Sequence, residues 1–108
     1  MITAQQARDL MKSSKQQHSE EFEASSDGIA AAEFLDGEIK AAIALNANIS
    51  RLQMPVSDLH DLYLSMHPGA TPGELVLFAE NSAALLVQKG YVAFVYPDGR
   101  MQVGWDGA

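Results

Sequence analysis

Residues 71–105 read TPGELVLFAENSAALLVQKGYVAFVYPDGRMQVGW, and this stretch decides the fold class. Thr71 is placed to cap a helix, Pro72 takes its first position, and Glu74 completes a capping box. The pattern predicts a helix over Glu74–Lys89, ended by Gly90 as the C′ glycine. Leu75, Val76, Leu77, Phe78, Ala79, Ala83, Ala84, Leu85, Leu86 and Val87 cover most of its circumference. A helix that is apolar all round has more than one face to hide. Tyr91–Tyr96 (YVAFVY) has high β propensity throughout. Pro97-Asp98-Gly99-Arg100 is a tight-turn signature, and Met101–Trp105 is the matching hairpin strand. Trp105 is expected to pack on the apolar face and anchor this end.

Moving toward the N-terminus, Asn48–Met54 (NISRLQM) alternates and predicts a short strand ended by Pro55. Ile49, Arg51 and Gln53 share one face; Ser50, Leu52 and Met54 share the other. Ser57 is then expected to cap a short helix, with Asp58 in its first turn. Leu59, Leu62, Tyr63 and Met66 form the apolar stripe of that helix, which closes at His67-Pro68-Gly69. A longer helix is predicted from Ile29 to Ala47, with a stripe of Ile29, Ala32, Leu35, Ile39, Ala42, Ile43 and Asn46. Ser25-Ser26-Asp27-Gly28 reads as a break before it, with Ser26 or Asp27 as the cap. Gly37 costs about 1 kcal/mol against Ala inside a helix. Residues 1–24 read as a polar helix with a narrow stripe of Leu10, Met11, His18 and Phe22.

The order helix, helix, strand, helix, helix, strand, turn, strand predicts an α+β protein with a three-stranded antiparallel sheet. The expected division is a polar helical arm over 1–26 and one α+β domain over 27–108. At 108 residues the chain has room for one core. With 47% apolar and 19% charged residues, the composition is globular rather than disordered. Fourteen acids against seven bases give a net charge of -7. That balance opposes general affinity for nucleic acid or for an anionic membrane surface. No apolar run is long enough to span a bilayer, and the opening MITAQQARDLMKSSK lacks a signal-peptide core. Cytoplasmic localisation during synthesis follows as the expectation. The absence of cysteine excludes disulfides, thiolate zinc sites and Cys nucleophiles together.

From Ile29 onward the element order resembles a winged helix-turn-helix. Leu85-Leu86-Val87-Gln88-Lys89-Gly90-Tyr91-Val92, followed by Asp98-Gly99-Arg100, is similar to the end of a recognition helix running into a wing. The resemblance implies a regulator or adaptor. Its DNA-binding form departs from the family, because no Lys or Arg occurs between Arg51 and Lys89 while Asp58, Asp61, Glu74 and Glu80 do. Only Lys89 and Arg100 could meet phosphates. The chain also resembles small proteins of tailed bacteriophages, on Ile39–Ala44, Ile49–Met54, Leu86–Val92 and Gly99–Trp105. That resemblance implies a virion component or accessory protein and carries no catalytic residue with it.

The candidate chemical sites are thin. His60 and His67 lie seven apart beside Asp58 and Asp61, which on one helix separates the imidazoles by about 10 Å, too far to share an ion. Ser57, Asp58 and His60 have triad letters but no G-x-S-x-G elbow. The glycines of 67–73 lack a P-loop ending. No catalytic residue, cofactor or metal is therefore expected. Glu20, Glu21, Glu23, Asp27, Glu33, Asp36 and Glu38 form an acidic segment that no base interrupts up to Glu38, read as a docking patch for a basic partner, a mimic of nucleic acid or a solvated face. The sequence thus points to a non-enzymatic protein–protein assembly module, partnered by itself or a larger assembly. Leu77, Phe78, Ala84 and Leu85 are the expected contact residues, joined by Leu10, Met11 and Phe22 if the first helix docks.

Overall fold

Two capping boxes and one serine corner set where the long helices begin. The computed structural model describes residues 1–105, apart from the side chains at 15 and 16. Helix α1 spans Ala4–Ala24, and its N-terminus is closed by a reciprocal box between Thr3 and Gln6. Helix α2 spans Ser26–Leu45, so a single residue, Ser25, joins the two. Strand β1 is Arg51–Pro55, α3 Val56–Met66, α4 Pro72–Gln88, β2 Val92–Val95 and β3 Arg100–Gly104. Among the described residues this is an α+β fold of four helices and a three-stranded antiparallel sheet in the order β1-β3-β2.

Ser25 ends one helix and starts the next. Its N–H donates to the carbonyls of Glu21 and Phe22, and its hydroxyl donates to Phe22 at 2.6 Å. The same oxygen accepts from the Gly28 N–H at 3.1 Å, the expected N-cap bond made one or two residues earlier than Ser26 or Asp27. Ser26 and Asp27 are already helical, and Gly28 is buried inside α2 rather than in a break. A Cβ on Gly28 would stand 1.7 Å from the carbonyl oxygen of Phe22. Glycine is there because two helix backbones meet. The crossing turns the buried stripe of α2 to Gly28, Ala31, Leu35 and Ile39. Ile29 and Ile43, expected inside, lie exposed.

The sheet's two faces follow the alternation of the strands. Pairing sets Met54 opposite Met101 and Leu52 opposite Val103, while Ala93 and Val95 meet the same two β3 residues from the other side. Met54, Met101 and Val103 are buried against α2, α3 and α4, with Ala31, Leu35, Leu59, Phe78, Ala79 and Leu86. The other face carries Gln53, Gln102 and Phe94 in one row. Trp105 packs on the core, and its N–H donates to the Ser50 carbonyl, as its anchoring role requires. The turn at Gly99 has φ +89°, the left-handed geometry that favours glycine.

Helix α3 departs from expectation at its start. It begins at Val56 with no side-chain cap, so Ser57 does not cap it. The Val56 N–H instead donates to the Gly99 carbonyl at 2.8 Å. A hairpin turn distant in sequence satisfies a donor that a local side chain was expected to satisfy.

Two glycines in α2 and the same substitution give opposite outcomes. Gly28→Ala forces backbone apart and is expected to lower unfolding free energy by about 2 kcal/mol. Gly37 has nothing within 4 Å of its missing Cβ. Gly37→Ala is expected to raise stability by about 0.5–1 kcal/mol. Urea denaturation followed by far-ultraviolet circular dichroism measures both.

Candidate functional site

The four contact residues expected on α4 fall on two different faces. Phe78 and Leu85, seven apart, point inward and are buried, Phe78 to 2% exposure. Both are buried within the single chain, although Leu85 also lines a groove between α2 and α4. Leu77 and Ala84 lie one residue earlier, rotated by about 100°. Leu77 is 51% exposed and Ala84 is exposed. Glu80, Asn81 and Gln88 share the Leu77–Ala84 face at helical spacing and mark it as the outward one, a signal that the all-round apolar reading passes over. Ser82, the one buried polar residue there, donates to the Phe78 carbonyl within the helix.

Helix α1 is divided along its length. Phe22 is half-buried and meets the Phe78 ring edge-on at 6.0 Å. One turn earlier His18 hydrogen-bonds Asn81 at 3.2 Å. Glu23 pairs with Lys89 at 2.5 Å. Every residue from Ala4 to Ser14 is exposed, with Leu10 at 57% and Met11 at 51%. The packing boundary therefore falls inside α1 near His18, and the expected boundary at 26 coincides with the corner instead. Met11, His18 and Phe22 share one helical face. On that face Phe22 is half-buried, His18 is exposed but hydrogen-bonded to Asn81, and Met11 is exposed.

Beside the base of this arm lies a groove of about 500 Å³ between α2, α4 and the start of β2. Its floor includes Leu35, Ile39, Leu85 and Leu86. Its rim holds Glu23, Glu33 and Asp36 with one base, Lys89. Asp36 is also paired with Lys40 along the helix at 2.8 Å. Exposed pairs of this kind contribute little stability.

A second, polar grouping sits where α2, α3 and α4 meet. His67 Nε2 lies 2.7 Å from Asp27 Oδ1. The His67 ring tilts on Tyr63 at 4.6 Å, and Tyr63 meets Phe78 at 4.8 Å. Burial, then the charges of Asp27 and Glu74, then a hydrogen bond to Glu74 hold the Tyr63 phenol above its usual value of 10.0. A phenol held neutral is a weaker nucleophile, and the grouping reads as a clasp from the end of α3 to the start of α2. His60 faces elsewhere; its Nε2 is buried with no hydrogen-bond partner among the described residues. His60 and His67 thus have separate surroundings. Among the described residues no group of three or more His, Asp or Glu could hold a metal ion. No helix among them is long and apolar enough to cross a membrane.

The two bases considered for phosphate contact are already engaged. Lys89 pairs with Glu23, and Arg100 pairs with Asp98 at 2.9 Å while lying 5.2 Å from the Tyr96 ring centre. On the outer sheet face Gln53 and Gln102 are hydrogen-bonded, and Phe94 beside them is 55% exposed. No family model, no curated protein and no solved structure matches the chain.

The raised Tyr63 value has a signed consequence. The folded state holds the phenolic proton more tightly than the unfolded chain does. Its contribution is full below pH 10 and is lost as pH climbs through the raised value. Tyrosinate absorbance during alkaline titration is expected to include a component above pH 10 that Tyr63→Phe removes.

Proposed function

We propose that this chain is a non-enzymatic protein–protein assembly module that associates first with copies of itself. One observation carries the reading. The N-terminal half of α1 is a locally capped helix whose apolar residues Leu10 and Met11 lie exposed beyond the packed body. A helix that projects Leu10 and Met11 into water gains by burying them, and hydrophobic burial contributes about 25 cal/mol for each Å² removed from water. The exposed Leu77 and Ala84 face of α4 offers a further contact surface. The resemblance to small tailed-phage proteins supplies the concrete form of the proposal, a structural or accessory component of a virion.

The winged-helix-type regulator or adaptor is the second reading. Its support is the order α2, β1, α3, α4, β2, β3, with the hairpin paired to the first strand. The pairing of Lys89 with Glu23 and of Arg100 with Asp98 favours the adaptor form over the nucleic-acid form. Salt-sensitive duplex binding that falls on Lys89→Ala would favour the regulator.

Light scattering behind a sizing column tests the assembly reading. The expected mass exceeds the 11.7 kDa of one chain. Leu10→Glu combined with Met11→Glu is expected to return it to a single chain, with the helical dichroism signal kept. A wild-type mass of 11.7 kDa at every concentration and salt level overturns self-association.

A further inference from the structure

We propose that the projecting half of α1 from one copy lies across the acidic-rimmed groove of a second copy, with the two copies exchanging arms about a twofold axis. The inference rests on the assembly reading and names its occupant and geometry.

Charge along α1 is the first ground. Arg8, Lys12 and Lys15 stand in its first part with Asp9 as the acid, whereas Glu20, Glu21 and Glu23 follow with no base among them. The acidic run continues into α2 through Asp27, Glu33, Asp36 and Glu38. Two arms laid antiparallel set each basic part against the partner's acidic part. Parallel arms set like against like. Charge complementarity of this kind steers encounter and fixes register.

The groove is the second ground. Its rim carries three acids and one base; Glu23 holds that base and Asp36 is paired with Lys40, so Glu33 is the rim acid outside these pairs. Its floor of Leu35, Ile39, Leu85 and Leu86 is apolar, and its volume of about 500 Å³ leaves room to seat a side chain of the arm. Met11 supplies one that is unbranched and adaptable. Arg8 and Lys12 flank it within one turn on either side, where the acidic rim would receive them.

Reach is the third ground. The groove begins at Glu23, and Met11 stands twelve residues ahead on the same continuous helix. At 1.5 Å per residue, that holds Met11 about 18 Å away along the axis. An arm cannot enter its own groove without breaking α1. A second copy supplies the arm, and the exchange closes because each copy gives one arm and receives one. A closed twofold contact of this kind is the commonest symmetry among oligomers.

The test is a charge swap read by light scattering. One variant carries Arg8→Glu and Lys12→Glu; the other carries Glu21→Lys and Glu33→Lys. All four positions are exposed, so circular dichroism should report unchanged helix content. Wild type is expected at twice 11.7 kDa, with its dimer fraction falling as salt rises. Each variant alone is expected at 11.7 kDa, and an equimolar mixture is expected to recover the doubled mass. Recovery in the mixture cannot come from misfolding. An oligomeric wild type whose mass neither reversal changes overturns the arm exchange and leaves the assembly reading standing. Two monomeric variants whose mixture stays monomeric also overturn it. A wild type that is monomeric throughout overturns both.

Discussion

The approach of Gly28 to the Phe22 carbonyl is the constraint on which the rest of the molecule depends. It sets the angle between α1 and α2, with Ser25 closing both helix ends at once. That angle brings Phe22 onto Phe78 and Glu23 onto Lys89. It also sends the earlier part of α1 away from the body. The long axis of 54 Å, against a short one of 28 Å, reflects that projection. A looser corner with any side chain at 28 would change the seat of Phe22 and the direction of the arm together.

The core assembled around this corner is built by position rather than by composition. α4 carries apolar residues on nearly every side, yet Phe78, Ala79, Ser82, Leu85 and Leu86 alone are buried. Of its other apolar residues, Val76, Leu77 and Val87 are half exposed. A small domain cannot cover all of its apolar surface, and the surplus accumulates where elements end or project. On this chain it lies on α4, on the edge strand β2 and on the arm. The electrostatic pattern is organised differently. Lys40, Lys89 and Arg100 each sit beside an acid, and the other bases of the described body are few. The excess negative charge is therefore spread over the helices, with Glu33 and Glu38 on α2, Asp58 and Asp61 on α3, and Glu74 and Glu80 on α4.

Much of the fold was legible from local signals. The Thr71–Glu74 box, Pro72 and Gly90 located α4 within two residues, because each acts on neighbouring backbone groups. The alternation of β1, the YVAFV run and the turn at Gly99 located the sheet for the same reason. The Thr3–Gln6 box was equally present in the sequence and marks where the arm starts. The candidate contact residues were only partly legible. Leu10, Met11, Leu77 and Ala84 are on the surface, while Phe78 and Leu85 are inside and Phe22 is half covered. On α4 the polar residues Glu80, Asn81 and Gln88 share a face with Leu77 and Ala84, so helical spacing already separated that face from the one carrying Phe78 and Leu85.

By itself the sequence determined the class, the element order, the α4 cap and the charge imbalance, all of which rest on residue type and short spacing. Only the tertiary structure decided that Gly28 is a crossing point rather than a break. Only it showed that Val56 is capped by Gly99 and that His67 is tied to Asp27. These contacts join residues 22 and 28 through a helix corner, and 56 to 99 and 27 to 67 across the fold. No local pattern encodes them, because their partners become neighbours only once the hydrophobic faces have packed.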